Sequence, residues 1–250
     1  MKVAVIIPAR MAASRFPGKP IVPILGVPLV EHVRRRTMFC ETVSQVIVAT
    51  CDVEIRKTVE QHGGRVIMTS DTHERCTDRI AEAARQINAD IIVNVQGDEP
   101  LVLPSMIDDV IKVLVNDSSL VCSNLMSPII DDLEFENPNA VKVVMKANND
   151  MLYCSREPIP SRRKAGSLKI RKWKQLGIIA FTSDFLQEFC LLPPTPLEII
   201  ESVDMMRAVE YGYRVRMVET KGIMIGVDVP EDVQRVEEIL VNDHLLKKYI

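Results

Sequence analysis

The chain has 250 residues, of which 47% are hydrophobic, so it can bury a substantial core as one α/β domain with at most an inserted lobe. Its formal net charge of -3 gives no general attraction for nucleic acid, so a site for a polyanion must be local. Six scattered cysteines, without a CxxC pair or a histidine at metal-binding spacing, argue against a zinc site and predict reduced thiols in a cytoplasmic protein.

The N-terminal part of the chain alternates short apolar runs with amphipathic segments. The first run is too short for a signal peptide and no later stretch would span a bilayer, so we expect no membrane association. The pattern predicts strands at 2–7, 45–50, 65–68 and 91–95, and helices at 28–36, 53–62 and 77–87. Strands separated by single helices imply right-handed crossovers and an α/β fold with a mainly parallel sheet flanked by helices.

The second half of the chain is less regular. Here we predict helices at 105–115, 184–191, 198–211 and 231–240, and strands at 120–125, 140–146, 174–181 and 214–219. The basic stretch 158–173 is typical of a solvated loop, and a patch for an acidic partner is the alternative. Because no repeat or linker is visible, we predict a single domain over 1–250 with a less regular part at about 120–215.

Two carboxylates follow the predicted strand 91–95. The run ends at Gly97, and Asp98 and Glu99 come directly after it. The carboxyl end of such a strand faces the crevice where α/β sheets bind ligands, so Asp98 is the leading candidate for a metal ligand. The alternative is that these carboxylates only cap a helix after Pro100 or end the strand.

The loop 8–20 follows the first predicted strand and carries three cations, Arg10, Arg15 and Lys19, together with Gly18. Guanidinium groups that bind phosphate oxygens in pairs, a lysine point charge and backbone amides suit a triphosphate. The loop is neither a Walker P-loop nor a GxGxxG turn. The alternative is three solvated cations on an exposed loop.

Asp228 is the second candidate carboxylate and lies just before the last predicted helix. It could simply cap that helix. Paired with Asp98, it could instead hold Mg²⁺, which prefers one or two carboxylates completed by phosphates and waters.

Several motifs occur in an order that resembles a known family. They are 7–10 with Arg15, 17–20, 93–100, 137–142, Ser155 with Arg156, 226–228 and 230–232. Together they make the chain similar, over essentially its whole length, to the 3-deoxy-manno-octulosonate cytidylyltransferases, also called CMP-Kdo synthetases.

The resemblance implies a specific reaction. Such enzymes join CTP to an acidic eight-carbon sugar and release pyrophosphate, giving a CMP-sugar for lipopolysaccharide assembly. They have a nucleotide-diphospho-sugar transferase (Rossmann-like) fold and are commonly dimers, so we expect a homodimer. No histidine base is required if a metal ion lowers the pKa of the attacking hydroxyl.

The resemblance also assigns roles to residues of this chain. Arg10, Arg15 and Lys19 would hold the triphosphate, and Asp98 and Asp228 would bind Mg²⁺, with Lys19 and both carboxylates as the catalytic group. The remaining expected contacts are Arg75, Thr77 and Gln96 to the nucleotide, and Gln96, Arg156, Gln175 and Asp204 to the sugar acid. Without the resemblance, Gln175 would be an ordinary strand residue and Arg156 a member of a surface ion pair.

The sequence departs from the family where the sugar and the base are recognised. Gln175 and Ile179 replace a histidine and a tyrosine, and Asp204 replaces a glutamate. Arg75 and Cys76 replace a serine and a glycine near the nucleotide. Because unpaired polar groups discriminate strongly between substrates, these changes leave open a different sugar acid or nucleotide. A catalytically silent nucleotide-binding protein is the third possibility.

Overall fold

The strand β1 (Val3–Pro8) is buried along its whole length, as expected for an apolar run inside a parallel sheet. The computed structural model describes residues 1–12 and 15–250, so Ala13 and Ser14 of the predicted 8–20 loop lie outside the described residues. No helix in this described part of the chain is long and apolar enough to cross a membrane.

The other elements follow in chain order. The strands are β2 (Pro23–Ile24), β3 (Val27–Pro28), β4 (Gln45–Thr50), β5 (Arg65–Met68), β6 (Ile91–Val95), β7 (Cys122–Pro128), β8 (Lys142–Met145), β9 (Met151–Ser155), β10 (Trp173–Thr182) and β11 (Val215–Glu219). The α-helices are α1 (Leu29–Thr37), α2 (Val53–Gln61), α3 (Cys76–Ala84), α4 (Pro104–Asn116), α5 (Asp132–Glu136), α6 (Ser183–Leu191), α7 (Pro196–Glu201), α8 (Met205–Glu210) and α9 (Pro230–Leu240). Two short 3₁₀ helices cover Lys19–Ile21 and Leu246–Lys248.

The chain forms two compact units. The first comprises 1–108 and 223–250, and the second comprises 109–222, which contains the part predicted to be less regular. In the first unit the strands β6, β1, β4 and β5 lie in this order, and the three pairings among them are parallel. The short strands β2 and β3 form a separate antiparallel pair. The chain leaves β1 toward β4 and returns to β6 on the other side, so β1 and β6 flank a topological switch point, where α/β proteins bind ligands.

The C-terminal helix belongs to the core of the first unit. Val236 and Leu240 of α9 pack in one buried cluster with Ile24, Leu29 and Leu101. Burial of such aliphatic side chains stabilises each by about 1.5 to 3 kcal/mol relative to exposure, so α9 is firmly held. This packing places Val227 and Asp228, which precede the helix, within the same unit as the N-terminal loop.

The second unit has a mixed sheet. β7 pairs antiparallel with β10 and parallel with β11, and β8 pairs antiparallel with both β10 and β9. The prediction of an α/β fold with a mainly parallel sheet flanked by helices is confirmed by these elements.

The sequence pattern was wrong about one helix and missed several short elements, β2 and β3 among them. The helix predicted at 198–211 is two short helices, α7 and α8, because Ser202 adopts a left-handed backbone conformation with φ 52° and breaks the run. β9 and α5 were not predicted, since both are too short to establish a period. The end of α2 was predicted correctly: Gly63 has φ 71°, as a left-handed helix end requires.

Candidate active site

The carboxyl ends of β1 and β6 lie close together at Gly97. A Cβ atom at this position would lie 2.7 Å from the carbonyl oxygen of Pro8, a distance that real Cβ contacts do not reach. Glycine is therefore required here by close backbone approach. The contact brings the start of the 8–20 loop beside the residues that follow β6.

A cavity of about 230 Å³ opens at this edge of the first unit. Its walls come from the end of β1 and the loop after it, from the segment that leads into α3, and from the residues around Gly97. The lining residues are Pro8, Ala9, Arg10, Arg15, Phe16, Lys19, Pro20, His73, Glu74, Arg75, Cys76, Arg79, Gln96, Gly97, Asp98 and Asp228.

Lys19 lies between the two candidate carboxylates. Its Nζ is 2.6 Å from Oδ2 of Asp98 and 3.5 Å from Oδ1 of Asp228, and it also donates to the carbonyl oxygen of Val227 at 2.9 Å. Only 14% of the lysine side chain is exposed, so these charges interact in a partly desolvated setting. The helix-cap interpretation of Asp98 is wrong, because α4 begins only at Pro104 and the Asp98 carboxylate accepts from Lys19.

Asp228 is likewise part of the site and does not cap α9. Its Oδ1 lies 2.9 Å from Nη2 of Arg15. The cap is supplied by Asp232, whose Oδ2 accepts from the backbone amides of Asp228 and Val229 at 2.9 and 3.1 Å. Asp232 thus holds the backbone of Asp228 while the Asp228 carboxylate faces the loop cations.

The conformation of the loop explains where Lys19 points. Gly18 has φ 76°, which favours glycine, and the 3₁₀ helix starts directly after it. The Gly18 amide donates to Met11 and the Ile21 amide donates back to Gly18, so the backbone reverses direction here. The turn directs the Lys19 side chain back to Asp98.

The wall that leads into α3 is held by two charged residues of that helix. The Glu82 carboxylate accepts from the Ser70 amide and pairs with His73, and the Arg79 guanidinium donates to Thr69 and Ser70. Partial burial opposes ionisation of Glu82, but the hydrogen bonds from Ser70 and His73 hold its pKa below the usual value. The segment that leads into α3 is therefore bonded to that helix at Thr69 and Ser70 and again at His73.

The structure gathers most of the predicted nucleotide residues at the cavity. Arg10, Arg15, Arg75 and Gln96 line it, and the Sγ of Cys76 lies 3.5 Å from Oε1 of Gln96. Thr77 is different, because it is buried in the first turn of α3 and is not a lining residue.

Sequence reasoning missed Arg79 as a lining residue. It lies one helical turn after Arg75, so a helical wheel would have placed both on one face of α3.

The other predicted substrate residues belong to the second unit, where they have structural partners. The Arg156 guanidinium donates to the carbonyl oxygens of Glu201, Pro138 and Ser202 at 2.7, 2.9 and 3.3 Å. Gln175 donates to Oδ1 of Asn124 at 2.6 Å.

Glu201 organises the surroundings of Arg156, and sequence reasoning missed this residue. Its carboxylate accepts from the Tyr153 and Ser155 hydroxyls and from the Arg156 amide. Burial opposes its ionisation, but these three donors hold its pKa below the usual value. Asp204 lies between α7 and α8 and directly precedes α8.

Two of the six cations in the basic stretch 158–173 form ion pairs with α5. Arg162 pairs with Glu136, Lys172 pairs with Asp132, and Lys174, just beyond the stretch, pairs with Glu134. These ion pairs give Arg162 and Lys172 a structural role, and the acidic-partner alternative stays open for the exposed cations of the stretch.

The two carboxylates suit a magnesium ion. A single ammonium already lies within 3.5 Å of both, which shows that their oxygens converge on a position favourable to a cation. In the described ranges 1–12 and 15–250 no three His, Cys, Asp or Glu side chains form a metal-binding group. Magnesium commonly takes one or two protein carboxylates and completes its coordination with phosphate oxygens and water, and Asp98 and Asp228 could supply those two carboxylates.

Comparisons with known proteins identify the family of the chain. Residues 4–221 match the family model described as cytidylyltransferase. The 3-deoxy-manno-octulosonate cytidylyltransferases of Geobacter metallireducens and Geobacter sulfurreducens are 48% and 46% identical over 249 residues, which cover 96% of this chain and 98% and 100% of those proteins.

Solved structures agree in fold. A CMP:2-keto-3-deoxy-manno-octonic acid synthetase complexed with CTP superposes with a TM-score of 0.90 at 36% identity, over 96% of this chain and 99% of that one. A cytidylyltransferase from Leptospira borgpetersenii shares the fold with a TM-score of 0.65 at 19% identity, over 97% of this chain and 88% of that one.

Proposed function

The chain belongs to the cytidylyltransferase family, and on that premise we propose that it transfers CMP from CTP to 3-deoxy-manno-octulosonate (Kdo) or a closely related sugar acid. The observation that carries the proposal is the Lys19, Asp98 and Asp228 cluster at a cavity lined by further arginines. The identity of 48% with a named Kdo cytidylyltransferase over nearly the whole chain supports the choice of substrates.

The cations of the first unit would bind the triphosphate. Arg10 and Arg15 present guanidinium groups that can each contact two phosphate oxygens, and Lys19 adds a point charge. Arg75 and Arg79 contribute positive charge from the facing wall. Binding would draw Arg15 and Lys19 from their carboxylate partners toward phosphate oxygens, so Asp228 and Asp98 become available to a metal ion.

Asp98 and Asp228 would hold Mg²⁺ together with phosphate oxygens. When bound, the ion supplies charge that polarises the phosphate and offsets the charge that develops on the leaving group.

The reaction itself needs alignment and positive charge. The anomeric hydroxyl oxygen of the sugar forms a bond to the α-phosphorus and gives up its proton to solvent water. The bond from that phosphorus to the bridging oxygen breaks, and pyrophosphate leaves with the electron pair. Fixed cations such as Arg10 and Lys19 stabilise the charge on the phosphate oxygens without reorganisation during the step. Gln96, which follows β6 and lines the cavity, would hydrogen-bond either substrate.

We also propose that the protein works as a homodimer in the cytoplasm. The second unit exposes three large aliphatic side chains near one another in the chain, Leu191, Ile199 and Ile200, at 79%, 61% and 73%. Contiguous exposed apolar patches mark protein interfaces, and we propose that these three residues belong to one. Light scattering after size exclusion would give the mass, and a monomer of 28.2 kDa would refute the dimer.

The deciding experiment is a pyrophosphate-release assay with Mg²⁺. CTP, UTP, ATP and GTP are tested against Kdo, its 8-amino relative and other 3-deoxy sugar acids. We expect turnover with CTP and Kdo. Turnover only with another sugar acid would locate the divergence at Gln175, Ile179 and Asp204, and turnover only with another nucleotide would locate it at Arg75 and Cys76. If nucleotide binds but no pair of substrates releases pyrophosphate, the catalytic proposal is refuted.

A further inference from the structure

Asp52 stands at the position where a helix cap is expected but bonds elsewhere. It directly precedes α2, and an aspartate there normally accepts from the amides of the first helical turn. In this structure its side chain makes no such bond. Instead, Oδ2 of Asp52 accepts from the backbone amide of Met11 at 2.8 Å, 41 positions earlier in the chain. The carboxylate is thus directed from its own helix to the 8–20 loop.

Met11 is where that loop is closed. Its amide donates to Asp52, and its carbonyl oxygen accepts from the amide of Gly18 at 2.9 Å. On the other side of Arg10, the Ala9 amide donates to the carbonyl oxygen of Ala49, at the end of β4. Arg10 therefore lies between two backbone anchors, and Arg15 lies within the segment that the Met11–Gly18 bond closes.

We propose that Asp52 is a positioning residue that fixes the cation-bearing loop in the form that binds a triphosphate. The proposal rests on the proposed function and extends it to a residue outside the cavity. Asp52 is half-buried at the end of β4 and is not a lining residue, so it acts through the loop backbone and not on the substrate. A hydrogen bond to a charged acceptor is stronger than one between neutral groups, which suits an anchor that must hold three cations in place.

The test variant is Asp52→Ser. A serine hydroxyl can cap α2 well but is too short to reach the loop, so the helix is retained while the anchor is lost. The probes are inorganic tripolyphosphate and cytidine, measured separately by calorimetry with Mg²⁺ present. We expect the Kd for tripolyphosphate to rise about tenfold, in line with a lost charged hydrogen bond, and the Kd for cytidine to change less than twofold.

Two further variants complete the design. Asp52→Asn keeps an oxygen that can accept from Met11, so it should retain tripolyphosphate binding within about threefold of the wild type. Asp90→Ser is the matched control, because Asp90 accepts from the Lys2 amide at 2.6 Å at the opposite end of β1, away from the cavity. It should leave both dissociation constants unchanged. Thermal unfolding of each variant shows that it is folded at the assay temperature.

Three outcomes would overturn the proposal. These are unchanged tripolyphosphate binding in Asp52→Ser, equal weakening of both probes as in a general loss of structure, and a wild-type protein that does not bind tripolyphosphate. Failure of the proposed function would give a different result from these three. The wild type would then bind tripolyphosphate but release no pyrophosphate from CTP and Kdo.

Discussion

Oδ2 of Asp98 lies 2.6 Å from Nζ of Lys19, so the strand-end carboxylate and the loop cation are paired in the wall of the cavity. Asp98→Asn keeps the shape of the side chain but removes its negative charge. We expect the rate of pyrophosphate release to fall about a hundredfold or more, since neither Lys19 nor a metal ion would be held as before. The circular dichroism spectrum should not change. A fully active Asp98→Asn enzyme would contradict the mechanism.

Variants of Asp228 and Asp232 distinguish the effect of losing a site carboxylate from the effect of losing a helix cap. Asp228→Asn should abolish most turnover with little change in stability, because the Asp228 carboxylate faces Arg15 and Lys19. Asp232→Ala should lower the free energy of unfolding by about 1 kcal/mol, the usual cost of losing a cap, while turnover falls less than tenfold. Urea titration and the pyrophosphate assay measure the two effects. The reverse pattern would restore the cap interpretation of Asp228.

The close approach at Gly97 predicts a strong effect of a single methyl group. Gly97→Ala would place Cβ 2.7 Å from the Pro8 carbonyl oxygen, so the strand ends must separate. We expect a loss of about 1 to 3 kcal/mol in the free energy of unfolding, together with reduced turnover. Gly226→Ala is the matched control, because its Cβ would lie at an ordinary 3.7 Å from the carbonyl oxygen of Asp98. Equal stability of both variants would contradict the close approach.

His32 predicts how stability changes with pH. It is completely buried, its Nε2 donates to the Ile24 carbonyl oxygen, and its Nδ1 accepts from the Tyr249 hydroxyl. Burial lowers its pKa, with Arg36 and Arg35 adding to the effect against the opposing Ile24 bond. The folded state therefore binds fewer protons than the unfolded state below the unfolded pKa of about 6.5. Stability from this group is present above that pH and is lost as the pH falls toward the lowered value.

The corresponding measurement is urea unfolding from pH 7.5 to 5.5. The wild-type free energy of unfolding should fall below about pH 6.5 with a slope of up to 1.4 kcal/mol per pH unit. His32→Gln should reduce this slope, although it lowers stability overall. The variant retains the other three histidines, so the difference between the slopes isolates His32. Identical slopes in both proteins would contradict the prediction.

The sequence predicted the first unit well because its signals are local and periodic. The boundaries of β4 and β5 match the prediction, since short apolar runs between helices have few alternative structures. Asp98 and the loop cations could be placed at one edge because the carboxyl ends of neighbouring parallel strands converge there.

Long-range partners could not be read from the sequence. Asp52 precedes a helix and has every local sign of a cap, yet it bonds to Met11, which only the pairing of β1 with β4 brings near. The prediction of one continuous helix across Ser202 failed for a related reason. The apolar spacing of 198–211 fits a continuous helix, and the left-handed residue that interrupts it is not glycine.

The arrangement of the two units along the chain has a consequence for synthesis on the ribosome. Asp98 is made early, but Asp228 follows only after the whole of 109–222 has been translated. The second unit therefore emerges, and can begin to fold, while the first is still incomplete. A nascent chain carries the loop proposed to bind the triphosphate long before it has the second carboxylate, so it gains the proposed activity only when α9 has joined the core of the first unit.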